Sequence, residues 1–325
     1  SVNGANTVNF TYDNDSLLTA AGSLTLTRNA QNGLVTGTTL GSVADTIGYN
    51  NFAEPINYTA SFNSTNLYGV QYTRDKLGRI TQKNETIGGT TTIYAYNYDQ
   101  AGRLSTVTLN GAGTPFVTYA YDSNSNRLSA TYSGPPISAT YDAQDRLTQY
   151  GVFTYAYTAN GELQSRTMSA QTTQYGYDVL GNLKSVTLPG GPQIDYVIDG
   201  QNRRIGKQVN GTLIQGFLYG DQLRIVAELD GSNNLVSRFV YGSRRANVPD
   251  YMVKSGVTYR FIKDHLGSVQ LVVDPTTGVI AQRIDYDEFG VVLVDTNPGF
   301  QPFGFAGGLY DRDTGLVRFG ARDYD

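Results

Sequence analysis

Tyrosine recurs at every second position in four stretches: Tyr94-Ala95-Tyr96-Asn97-Tyr98, Tyr119-Ala120-Tyr121, Tyr155-Ala156-Tyr157 and Tyr175-Gly176-Tyr177. A period of two sends side chains alternately to the two sides of an extended chain, so each stretch predicts a strand with one aromatic face and one face of small residues. Within residues 1–70, Leu24-Thr25-Leu26-Thr27, Tyr49-Asn50-Asn51-Phe52 and Tyr58-Thr59-Ala60-Ser61-Phe62 alternate as strands do and extend the array in degenerate form. No window holds apolar residues at i, i+3, i+4 and i+7 long enough for a domain-sized amphipathic helix. The pattern therefore predicts an all-β chain.

A unit of the form Tyr-Asp-x-x-Gly-Arg-Leu separates the strands. Its clearest copy is Tyr98-Asp99-Gln100-Ala101-Gly102-Arg103-Leu104. Related copies start at Tyr141 (Asp142, Arg146, Leu147), Tyr157 (Gly161, Leu163) and Tyr177 (Asp178, Gly181, Leu183). Another starts at Tyr121, with Asp122, Arg127 and Leu128, and is read as one residue longer. Arg74 to Ile80 and Ile198 to Arg203 are degenerate flanking copies, and Tyr12-Asp13 opens an outlying one. Each copy is read as a hairpin tip: Asp opens a type I turn, and Gly four positions after Tyr takes the positive φ that a G1 bulge requires. After the turn Arg-Leu or Asn-Leu restarts the strand, with the guanidinium placed to lie over a Tyr ring across the hairpin. Steps of 23, 20, 16 and 20 residues between the tyrosines suit hairpins of unequal length in one antiparallel meander. Such a meander must close, curl or be capped to avoid a free edge. An open half-pipe and a narrow barrel both stay open as shapes, and an open edge would predict self-association or domain swapping.

Composition narrows the chemistry. The 325 residues include 25 Tyr, 13 Phe and 37 Gly, with no Trp, which suits strands and tight turns. Charges are scattered singly, the net charge is −4 and the pI is near 5.1, so a nucleic-acid partner is not expected. The absence of Cys removes disulfides, thiolate zinc sites and Cys nucleophiles. His265 is the sole histidine and is read as a buried or turn-anchoring ring bonded to backbone; with Ser268 three residues on, it offers no triad geometry. Asp13-Asn14-Asp15 lacks the Gly and Glu of a calcium loop, so neither metal nor cofactor is expected. Ser1 opens a polar, strand-like segment, and no apolar run is long enough to span a membrane. The missing initiator Met is read as the mark of an excised or processed piece, whose parent would carry any targeting signal.

The Tyr-Asp copies resemble the YD repeats of Rhs proteins, insecticidal toxin complexes, bacterial wall-associated proteins and teneurins. The resemblance sharpens from Leu218-Tyr219-Gly220-Asp221 onward. Tyr259 to Ser268 contains Asp264-His265-Leu266-Gly267-Ser268; Tyr286-Asp287-Glu288-Phe289-Gly290 follows, and then Asp311-Arg312-Asp313-Thr314-Gly315-Leu316. These are similar, in order, to the His-Leu-Gly-Ser, Tyr-Asp-x-Phe-Gly and Asp-x-x-Thr-Gly-Leu signatures of the Rhs-associated core.

The resemblance implies a sheet that spirals into a hollow shell: a YD-repeat array over 1–205 and an Rhs-associated core over 206–325 that plugs it. It further implies a structural role in a secreted or cell-surface protein of the polymorphic-toxin kind, enclosing or delivering its own C-terminal effector or a neighbouring polypeptide. In several such families the core is an aspartyl autoprotease with a downstream Asp-Pro-x-Gly-Leu motif. That motif is absent here, the lone Asp-Pro (Asp274-Pro275) being an ordinary turn, and the chain is read as stopping before it. Asp311 and Asp313 are the candidates for the upstream carboxylate, although surface turn residues are the preferred reading of both. Asp285 and Asp287 are read as turn formers. Two alternatives to the non-enzymatic scaffold stay open: a self-cleaving aspartyl core, and an adhesin or carbohydrate-binding module that uses exposed tyrosines.

Overall fold

The computed structural model describes residues 7–243 and 247–325; Ser1, read above as opening a strand-like segment, lies outside them. From Phe10–Tyr12 to Val292–Asp295, each strand pairs antiparallel with the next in a 28-stranded sheet. Leu309–Asp311, Leu316–Phe319 and Arg322–Tyr324 form a separate small sheet. Among the described residues the helical content is one 3-10 turn, Phe305–Gly307. The expected boundary at 205/206 falls within the strand Arg204–Val209.

The hairpin tips form as the sequence predicts. Gly102, Gly161 and Gly181 have φ of 83°, 94° and 77°. The same position is held by Ser125, Asp145 and Asn202 at 73°, 59° and 61°, so glycine is favoured there without being required. The Asp carboxylate supplies the compensation. Asp142 Oδ1 accepts the backbone N–H groups of Gln144 and Arg146, closing the turn whatever follows. Hydrogen bonds from Arg146, side chain first, hold that carboxyl below its usual range.

Two expectations about the unit are corrected. The turn after Tyr121 carries no extra residue: Tyr121 pairs with Arg127 as Tyr98 pairs with Leu104 and Tyr141 with Leu147. Asn126 stands where Arg103 stands in the clearest copy, donating from Nδ2 to Asp122 Oδ2, and Arg127 takes the place of Leu104. The arginine, moreover, covers the tyrosine of the next repeat and not that of its own hairpin. Arg103 Nε donates to its own turn carboxylate, Asp99 Oδ2, at 2.7 Å, which turns the guanidinium toward the next hairpin, where it lies 4.7 Å above the Tyr121 ring. Tyr121 then donates its hydroxyl back to the Leu104 carbonyl at 2.8 Å. Arg79 with Tyr98, Arg146 with Tyr157 and Arg203 with Tyr219 repeat the arrangement. Each motif therefore joins two hairpins, using a charge-assisted hydrogen bond and a cation–π contact.

Among the described residues the sheet ends do not pair into a barrel; the sheet rolls like a scroll. The tyrosine face of the early strands, with Tyr58, Tyr68 and Tyr72, packs against Ile262, Leu271 and Val273 of late strands. The opposite face of those late strands, with Phe261, Val269 and Val272, packs against Phe303 and Leu309 of the C-terminal segment. Late strands thus lie inside early ones, and the C-terminal segment lies innermost. Every residue of Val269–Val273 is buried, because that strand is covered on both faces. Backbone bonds are few across the seam, where Ser42 N donates to the Pro275 carbonyl at 2.9 Å.

Candidate functional site

The inner face carries the chemistry. Tyr196 and Lys207 are direct cross-strand partners on Gln193–Ile198 and Arg204–Val209, and both are buried there. The first hairpin of the small sheet brings Asp311 onto them. Lys207 Nζ lies 2.5 Å from Asp311 Oδ1 and 2.6 Å from Asp313 Oδ2, while the Tyr196 hydroxyl donates to Asp311 Oδ2 at 2.6 Å. Asp311 is buried within its turn, contrary to the reading of a surface turn, whereas Asp313 remains on the cavity wall with 38% of its side chain exposed. An aspartyl mechanism needs two carboxylates that share a proton. Here both carboxylates instead meet one ammonium, that of Lys207. Burial, and then Asp311, push the Tyr196 phenol well above its usual range.

Further contacts extend this docking. Asp323 bridges Arg204 and Arg318 at 2.7 and 2.8 Å, with the Arg204 guanidinium 3.5 Å from the Tyr196 ring centroid. Asp325 pairs with Arg166 at 2.9 Å, directly across from Tyr155 on the aromatic face. Sequence reasoning missed Lys207, Arg204 and Tyr196. The available signal was a pair of cations, Arg204 and Lys207, within one short strand-like stretch, Arg204-Ile205-Gly206-Lys207.

A second concavity of about 530 Å³ lies between the strands Ile80–Ile87 and Thr90–Tyr98 and the segment that carries the core motifs. Tyr94, Tyr96 and Tyr98 line it, so these rings face the interior. Asp264 Oδ1 accepts the N–H groups of Leu266 and Ser268, and Gly267 turns at φ 95°. Ser268 is buried and its Oγ accepts the Ala306 N–H at 3.0 Å, tying the turn to the C-terminal segment. Asp287 Oδ1 accepts the N–H groups of Phe289 and Val291; Gly290 follows at φ 91°, and Phe289 packs edge-on against Tyr119 at 5.1 Å. Tyr286 packs on Phe305 at 5.9 Å.

Two readings are corrected here. Asp285 is not a turn former: it lies on the strand Ile280–Tyr286 and takes both a 2.8 Å and a 2.7 Å bond from Arg283. His265 is not bonded to backbone. Its Nδ1 lies 3.2 Å from the Tyr72 hydroxyl, and the ring is accessible from the cavity. Partial desolvation first, and then the nearby Lys83 and Arg74, bring its pKa down to about 4. A pKa below the ordinary ~6.5 means that the unfolded chain binds the extra proton first, so the His265 contribution to stability falls as pH drops from about 6.5 to about 4 and is level below that. Urea denaturation across that range is expected to show a smaller loss in His265→Gln than in the parent chain; parallel profiles would contradict the assignment.

A rolled, tyrosine-lined antiparallel sheet, locked by Tyr-Asp turns and plugged by its own C-terminal segment, defines a structural β-shell of the YD-repeat, Rhs-like class. The chain belongs to the teneurin YD-shell family, whose model matches residues 1–325. It is 32% identical to mouse Teneurin-4 over 264 residues, which is 79% of this chain and 9% of that protein. It is 27% identical to the tRNA nuclease WapA of Bacillus subtilis (strain 168) over 218 residues, 64% of this chain and 9% of that protein. Among solved structures, the Photorhabdus luminescens Tc holotoxin pore shares the fold at a TM-score of 0.51 and 16% identity, over 93% of this chain and 19% of that one. The chain thus spans about a tenth of the length of these curated relatives.

Proposed function

We propose that this chain is a wall-and-plug segment of a larger secreted or cell-surface shell that encloses and presents a polypeptide, either an effector joined to its own C-terminus or a neighbouring chain. In this reading 1–205 supplies wall and 206–325 the plug. The observation that carries it is the docking of the C-terminal segment on the aromatic inner face as far as Asp325, held by Arg166. A polypeptide joined there would start beside Arg166, on the aromatic face. The inward direction of Tyr94, Tyr96 and Tyr98 favours enclosure over surface carbohydrate binding. Asp311 and Asp313 keep their place as candidate upstream carboxylates of a cleavage centre, both paired with Lys207 here.

The test is a flexible reporter carrying a protease site, joined after Asp325. Cleavage is expected to be at least about tenfold slower than for the free reporter peptide, since proteolysis tracks exposure. Cutting at the free-peptide rate would sink the enclosing role. Spontaneous release of the reporter that stops in Asp311→Asn would favour the cleavage reading.

A further inference from the structure

The 530 Å³ concavity falls in the size range of ligand sites and combines features that the shell itself does not need. One of its walls is an open strand edge. Val292–Asp295 pairs only with Ile280–Tyr286, leaving its other edge without a strand partner among the described residues. Leu293 and Val294 of that strand line the cavity and are 61% and 41% exposed. Unpaired N–H and C=O groups along an accessible apolar strand are a template for an added strand.

The charge of the cavity selects what could be added. Five carboxylates line it, Glu85, Asp264, Asp285, Asp287 and Glu288, against two cations, Lys83 and Arg283. Both cations are already engaged: Lys83 with Glu85 at 3.4 Å and the Tyr94 ring at 4.1 Å, and Arg283 with Asp285. Glu288 has no ion pair among the described residues. Burial first, and then Asp287, raise its pKa, with Lys83 and Tyr119 opposing them. Tyr94 and Tyr96 lie parallel, at 7°, with centroids 6.3 Å apart, and ring faces of this kind attract cations.

We propose that this cavity and strand edge bind an extended polypeptide segment rich in lysine or arginine, which pairs along Val292–Asp295 and directs its cations toward Glu288 and the Tyr96 ring. The proposal deepens the enclosing role, on which it rests for the presence of a polypeptide, by naming the chemistry of the segment held.

The probe is a fluorescent peptide of about eight residues, alternating lysine and threonine, long enough to cover one strand. Its anisotropy is followed with the whole chain at low salt and at about 0.5 M salt, where exposed charge pairs are screened. A glutamate-for-lysine peptide and a lysine peptide N-methylated at alternate amides are the comparisons. Binding of the lysine peptide is expected, weakened by salt, at least about tenfold weaker for the glutamate form, and lost on N-methylation, which removes donors to the edge. Glu288→Gln is expected to weaken it about tenfold; because the two comparison peptides use the unaltered protein, the result does not depend on that variant folding. No binding of the lysine peptide, equal binding of the lysine and glutamate forms, or full binding after N-methylation would overturn the site, as would preferential binding of a neutral oligosaccharide. If the peptide binds as described while the reporter after Asp325 is cut freely, the enclosing role fails and the site stands.

Discussion

Methionine in place of Arg260 is expected to loosen the scroll at its seam and to remove about 3–5 kcal/mol of folding stability, the usual result of leaving a buried charge without its partner. Arg260 projects from the late strand Val257–Lys263 toward the early strands and is 3% exposed. Its Nη2 reaches Asp45 Oδ2 at 2.6 Å and Thr38 Oγ1 at 2.7 Å, and its Nη1 donates to the Asp250 carbonyl at 2.9 Å. Asp45 also accepts the Thr38 N–H and the Tyr58 hydroxyl, so it is fixed in place and cannot turn toward water when the guanidinium is gone. Urea denaturation of the variant against the parent measures the cost, and a loss below about 1 kcal/mol would show that water reaches the seam. Replacing Asp45 by leucine in the same chain is expected to recover much of the loss, because an apolar pair no longer carries a buried charge.

The same seam sets an acid limit. Burial would raise the Asp250 carboxyl, but Lys263, Arg260 and the Ser243 donors outweigh it and hold the group well below the usual range. A depressed folded-state pKa gives stability that is fully present above the ordinary value of about 4 and is lost as pH falls from there toward the folded pKa. The parent is therefore expected to weaken steeply below pH ~4.

The second large effect is expected at Lys207. Its replacement by methionine leaves Asp311 buried beside Tyr196 without a cation, at a cost again of about 3–5 kcal/mol. The loss should fall first on the docking of the small C-terminal sheet, because the ion pair and the Tyr196 bond join that sheet to the inner wall. Amide exchange in Leu309–Asp311, Leu316–Phe319 and Arg322–Tyr324 is expected to accelerate before that of the wall strands. Asp313→Asn is the control: its carboxylate is partly exposed, and its loss should cost no more than about 1 kcal/mol. Equal effects of the two substitutions would mean that Asp311 does not anchor the plug.

The readings that succeeded were local. A Tyr-Asp unit specifies its hairpin because the carboxylate, the positive-φ residue and the restart of the strand all lie within one turn. The period-2 tyrosines define a face without reference to any partner. The readings that failed turned on which neighbour a side chain finds, near or remote in sequence. Counting to the next Arg-Leu mis-set the Tyr121 turn, because Asn126 can satisfy Asp122 as arginine does. The reach of Arg103 to Tyr121 depends on how hairpins are staggered. Asp285 looked like a turn residue beside Tyr286-Asp287 until its strand pairing placed it next to Arg283.

The sequence by itself determined an all-β meander, its turn chemistry, its aromatic face and its kinship with YD shells, since each of these is written in residues a few positions apart. Tertiary structure alone decided that the sheet rolls inward, that Val269–Val273 becomes a middle layer, and that Lys207 and Tyr196 receive Asp311. The physical reason is range. Tyr196 and Asp311 are 115 residues apart, and Arg260 and Asp45 are 215 apart. Such contacts follow from the accumulated twist and curvature of many strands, and no local pattern encodes that sum.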